Sequence, residues 1–108
     1  MATIYENLNP PIIENTIMQK IISNNVHIGY TITPIDGYVL HDKGMDDVVY
    51  DEETGEPTGE VMLSYRRSTA SCAVNYDFVT NPREFYAVPE NSVPADRIFS
   101  ITTKPEVM

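Results

Sequence analysis

The stretch 9-NPPIIENTIMQKIISNN-25 decides how the rest of the chain is read. Ile13, Ile17 and Ile21 stand four residues apart, with Met18 and Ile22 beside them, while Glu14, Asn15, Gln19 and Lys20 fall elsewhere. That is a wide apolar stripe at helical spacing. Asn9 is a good capping residue and Pro10-Pro11 suits a first helical turn, where a missing N–H costs nothing. Asn24-Asn25 makes a plausible stop, because Asn tolerates the left-handed conformation that ends helices. The stretch is therefore expected to be one helix, packed on a sheet or on a second copy of itself. Residues 1–9 before it are expected to form an extended arm, with Ile4, Tyr5 and Leu8 able to dock on the body or on another subunit.

After the helix the period changes to two. Val26, Ile28, Tyr30 and Ile32 alternate with His27, Gly29, Thr31 and Thr33, the pattern of a half-buried strand. Pro34-Ile35-Asp36-Gly37 reads as a turn and Tyr38–His41 as the returning strand, which sets Ile32 opposite Tyr38 and Tyr30 opposite Leu40. Val48-Val49-Tyr50 and Val61-Met62-Leu63 flank DEETGEPTGE, so a second hairpin with an exposed acidic tip is expected.

Glu60–Phe78, EVMLSYRRSTASCAVNYDF, organises the sheet. Its apolar residues are odd-numbered up to Tyr65 (Val61, Leu63, Tyr65) and even-numbered from Ala70 onward (Ala70, Cys72, Val74, Tyr76, Phe78). A strand keeps its parity, so a bulge or tight turn must interrupt it at Arg66–Thr69. The two arginines are thereby presented at a break, a common place for a site. Glu84–Val88 adds a further strand, and Ser92–Phe99 reads as a one- or two-turn helix opened by Pro94. The tail 102–108 is expected to be loose. The reading is one α+β domain over residues 1–108: a small antiparallel sheet of five or six short strands, covered by one N-terminal helix, with a short C-terminal helical turn.

The charge narrows the partners. Sixteen acidic residues against seven basic ones give a net charge of −9. Such a chain lacks the basic face that displaces counterions from nucleic acid or binds an anionic membrane. Solubility explains the acidity; so does a basic partner, or mimicry of nucleic acid. The single cysteine, Cys72, excludes an internal disulfide. No signal peptide or membrane span is read, so a cytoplasmic protein is expected.

No catalytic, metal or cofactor site is expected. Cys72 lies in an alternating apolar run, away from a base that would activate it. Asp51-Glu52-Glu53-Thr54-Gly55-Glu56 offers calcium-friendly oxygens, but Gly55 and Met62 fall where an EF-hand loop needs Gly one place later and Glu. What remains is a set of arginines among aromatics and amides: Arg66, Arg67, Asn81, Phe85, Tyr86 and Arg97. Guanidinium forks bind phosphate and aromatic rings stack on bases, so this set is expected to hold a small phosphorylated nucleotide. The alternative site is the acidic run, where Asp51, Glu52, Glu53 and Glu56 would engage a basic protein.

The segments GYTITPIDGYVLHDK, NYDFVTNPREFYAVP and VPADRIF resemble small accessory proteins encoded by phages and prophages, and the arrangement is similar to Thoeris anti-defence sponge proteins. That resemblance implies a non-enzymatic homo-oligomer that sequesters a cyclic nucleotide signal in the host cytoplasm. It points to Asn81 and Arg97 as ligand contacts, with Phe85 or Tyr86 stacking. The other functions open to the chain are an acidic, protein-directed inhibitor (nucleic-acid mimic or anti-CRISPR-like) and a structural, virion-associated module.

Overall fold

The computed structural model describes residues 2–99. It overturns the α+β reading. Ten strands form three sheets, and among the described residues no helix reaches seven residues. The strands are β1 (Thr3–Asn7), β2 (Thr16–Ser23), β3 (Val26–Pro34), β4 (Tyr38–Asp42), β5 (Asp47–Tyr50), β6 (Pro57–Met62), β7 (Tyr65–Arg66), β8 (Ala70–Ala73), β9 (Phe85–Pro89) and β10 (Ile98–Phe99). One sheet has the order β1-β2-β3-β8, a second β10-β7-β4-β9, and β5-β6 stand as a pair.

The expected helix is the strand β2 with a loop before it. A spacing of four residues places side chains on one side of a strand as well as one side of a helix, so Ile13, Ile17 and Ile21 could not separate the two. Local chemistry does separate them. Thr16, Ile17, Ile21 and Ile22 are β-branched, which crowds a helix and suits a pleated surface. Asn24 and Asn25 both have positive φ, 52° and 66°, and join the paired residues Ser23 and Val26. Two left-handed residues in a row make the two-residue turn that matches strand twist. The residue property taken to end a helix therefore closes a hairpin. β2 is then central, pairing with β3 on one side and with β1 on the other. The arm is thus part of the sheet, although its five residues stay exposed.

The strand expected over 26–32 is present, but its partner is not the one expected. β4 does not pair with β3; it pairs with β7 and β9 in the second sheet. The turn that leads there is held by Tyr38 N–H donating to the Ile35 carbonyl at 3.0 Å, with Gly37 at φ 84°. The chain crosses back between β7 and β8, at Arg67–Thr69. The parity switch coincides with that crossing: Tyr65 before it lies in the second sheet, and Ala70 and Cys72 after it lie in the first. Three crossings, from β3 to β4, from β7 to β8 and from β8 to β9, place an inner face of each sheet against the other. Met18, Ile32 and Ala70 of the first sheet meet Leu40 of the second, with Ile13 from the loop; Tyr30, Cys72, Phe78, Phe85 and Ala87 pack around them. Ile32 and Leu40 are wholly buried, worth roughly 1.5–3 kcal/mol each.

The acidic hairpin is present as β5-β6. The C-terminal helix is not: Glu90–Ser92 and Ala95–Arg97 are single 3-10 turns, and β10 follows, parallel to β7. The expected loose tail lies outside the described residues. No described helix is long and apolar enough to cross a membrane.

Candidate functional site

The β5-β6 hairpin belongs to neither four-stranded sheet. Its register sets Val48 opposite Val61 and Tyr50 opposite Pro57. At the tip, the Asp51 carboxylate accepts the N–H of Glu53 at 2.7 Å and of Thr54 at 3.1 Å. Gly55, at φ 75°, donates its N–H to the Asp51 carbonyl, and Asp51 N–H donates to the Glu56 carbonyl, both at 2.8 Å. Asp51 thus shapes the turn, while Glu52, Glu53 and Glu56 point their charges at solvent. Every residue from Asp51 to Leu63 is exposed. Val48, Tyr50, Val61, Met62 and Leu63 add a half-exposed apolar strip beside the acids.

Arg97 ties this hairpin to the body. Its guanidinium donates to the Leu63 carbonyl at 3.0 Å, the Met62 carbonyl at 3.2 Å, the Asp47 carboxylate at 2.9 Å and the Ser64 hydroxyl. The other arginines of the expected nucleotide site are also engaged. Arg66 is 5% exposed and pairs with Asp42 at 3.2 Å. Arg67 forms a two-bond pair with Glu90, at 3.1 and 2.8 Å, which holds the Glu90 carboxyl below its usual range. Phe85 packs against Tyr76 with ring centres 5.4 Å apart. Tyr86, next along β9, stacks on His41 at 4.5 Å. Asn81 is exposed in the turn after Asp77, where its N–H donates to the Asp77 carbonyl. The six residues therefore occupy separate places, and the arginines among them hold carboxylates or carbonyls.

Sequence reasoning missed a buried pair, His41 and Asp46. His41 Nε2 lies 3.0 Å from Asp46 Oδ2, and both side chains are almost fully enclosed. Asp46 Oδ1 accepts the Ser64 N–H at 2.7 Å. Nothing in the sequence separates Asp46 from the six other acids of its run; only the 3-10 turn Lys43–Met45, capped by Asp42, swings it back onto β4. Tyr65 lies against the same histidine. Burial, together with a hydrogen bond to Tyr86, pushes the Tyr65 phenol up to about 12. His27 lies in the other sheet, beside Tyr30. Burial pushes the Cys72 thiol up to about 11, which leaves almost no thiolate at neutral pH. Among the described residues no group of three or more His, Cys, Asp or Glu is placed to hold a metal ion.

No family model, curated protein or solved structure matches the chain.

Proposed function

We propose that this is a non-enzymatic, protein-directed binding module that presents the β5-β6 hairpin to a basic partner. The observation that carries the reading is the uninterrupted exposure of Asp51–Leu63, with free carboxylates at the tip and an apolar strip at the side. Apolar residues rimmed by charge are the usual composition of a protein interface. The acids would steer a basic surface toward the hairpin, and the strip would supply the contact that persists after desolvation. The Arg97 contacts hold the hairpin in place before binding, which lowers the ordering cost.

A nucleotide site built from Arg66, Arg67, Asn81, Phe85, Tyr86 and Arg97 has less support, because its cations are already paired and its members are dispersed. The test is parallel capture on the immobilised chain and on an E52Q/E53Q/E56Q variant, which keeps the Asp51 turn. A basic protein should be retained by the first, released as salt rises, and absent from the second. Equal retention by both, or no basic protein at all, removes the hairpin from consideration.

A further inference from the structure

Lys43 and Arg83 stand apart from the engaged arginines. Sixteen acids surround seven bases in this chain, yet among the described residues neither Lys43 nor Arg83 has a carboxylate within ion-pair distance. The two line the same pair of clefts. One cleft, about 430 Å³, runs between them and the apolar side of the hairpin, with Val48, Val61 and Leu63 as its wall and His41 and Asp46 also lining it. The other, about 590 Å³, continues past them along Thr80, Asn81 and Glu84. The Lys43 N–H donates to the Glu84 carbonyl at 3.1 Å, so the two cation-bearing turns are tied together.

The acids nearest this junction are occupied. Asp46 is taken by His41 and Ser64, and Glu84 accepts the Tyr76 hydroxyl at 2.8 Å. These oxygens accept from protein donors, so neither carboxylate pairs with Lys43 or Arg83. Thr80 Oγ1 accepts from the Asn81 amide at 3.3 Å, and its hydroxyl donates to the Asp77 carboxylate. Val48, Val61 and Leu63 are 48, 50 and 40% exposed, apolar area that a ligand would remove from water. His41 is 2% exposed and its Nδ1 has no hydrogen-bond partner among the described residues. The smaller cleft is within the size range of ordinary small-molecule sites.

We propose that Lys43 and Arg83 form a binding site for a small phosphate monoester with an apolar body. The phosphate lies between the ammonium and the guanidinium fork, and the body lies against Val48, Val61 and Leu63. Phosphate suits the site better than carboxylate because a planar fork and a three-donor ammonium offer more donors than two carboxylate oxygens use. The site does not touch the acids of the hairpin tip, but it shares Val48, Val61 and Leu63 with the apolar strip of the proposed partner surface.

Phenyl phosphate is the probe, followed by amide chemical shifts of the folded chain. Saturable shifts are expected at 41–48, 61–63 and 79–84. Inorganic phosphate, which lacks the body, should bind about tenfold more weakly, and K43A/R83A should weaken phenyl phosphate by at least about tenfold. The spectrum of that variant shows directly whether it is folded. Arg67→Ala removes a positive charge elsewhere and should leave the affinity unchanged. The proposal is overturned by shifts that do not saturate, by equal affinity for inorganic phosphate, by persistence in K43A/R83A, or by an equal loss in Arg67→Ala.

Discussion

Gly29 sits where β3 and β8 approach most closely. A Cβ built there would lie 2.5 Å from the Cys72 carbonyl oxygen, a backbone atom that cannot swing away. Gly29→Ala is therefore expected to force the two strands apart and to cost roughly 1–3 kcal/mol, seen as a lower urea midpoint. Across the same ladder, Cys72 should be nearly inert. With its thiol raised to about 11 by burial, modification at pH 8 should run at least about tenfold slower in the native chain than in urea. Equal rates would show that the thiol is not buried. Tyr65 governs the alkaline limit. Its phenol is protonated in both folded and unfolded chains below pH 10, so its contribution is complete there. Between 10 and about 12 the unfolded phenol ionises while the folded one does not, and stability falls. Tyr76, raised by burial and its Glu84 bond, acts in the same direction. Thermal melts from pH 9 to 12 should show the decline, and Tyr65→Phe should make it shallower.

The β2-β3 hairpin depends on Asn24 and Asn25 more than on the isoleucines before them. Left-handed backbone costs a residue with an ordinary side chain about 1–2 kcal/mol, so replacing both with Ala should destabilise the protein by a comparable amount or more. Asn25→Gly should be neutral or stabilising in the same denaturation assay. Far-UV circular dichroism discriminates the two readings of 9–25 without mutation: a β-type spectrum is expected, and a helical double minimum would contradict β2. The alternation of 26–32 and the acidic hairpin were legible in the sequence, because a period of two and a Gly/Pro-rich polar tip have few other solutions. The helix was misread because residues four apart align in both structures. The β3-β4 hairpin was misread because turn chemistry at Pro34–Gly37 shows where the chain bends and not which sheet it bends into.

The molecule is elongated, 54 × 28 × 27 Å, and β5-β6 is held to the body at its base. Arg97 bridges positions 34 to 50 residues away in sequence, from Leu63 to Asp47. Arg97→Ala is expected to loosen the hairpin while leaving the two four-stranded sheets intact. Amide exchange of 47–62 should accelerate by about tenfold or more, with little change at Met18, Ile32 and Leu40. Uniform acceleration would instead show that Arg97 supports the whole fold. The hairpin-tip charges and the Lys43–Arg83 clefts were unequally visible for a physical reason. Charge along a run is a property of the chain, whereas which cations are left without a carboxylate depends on where the fold places each side chain.

The sequence by itself determined the acidic character, the single cysteine, the strand at 26–32 and the exposed acidic tip, since each follows from composition or from residues close in the chain. It also located the interruption at Arg66–Thr69. Only the tertiary structure decided that β2 is a strand, that the turn at Pro34–Gly37 and the break at Arg66–Thr69 are crossings between sheets, and that Arg66, Arg67 and Arg97 are structural partners of Asp42, Glu90 and Asp47. Those outcomes rest on backbone ladders and ion pairs between distant residues, whose energies are comparable to local propensity and which no local pattern encodes.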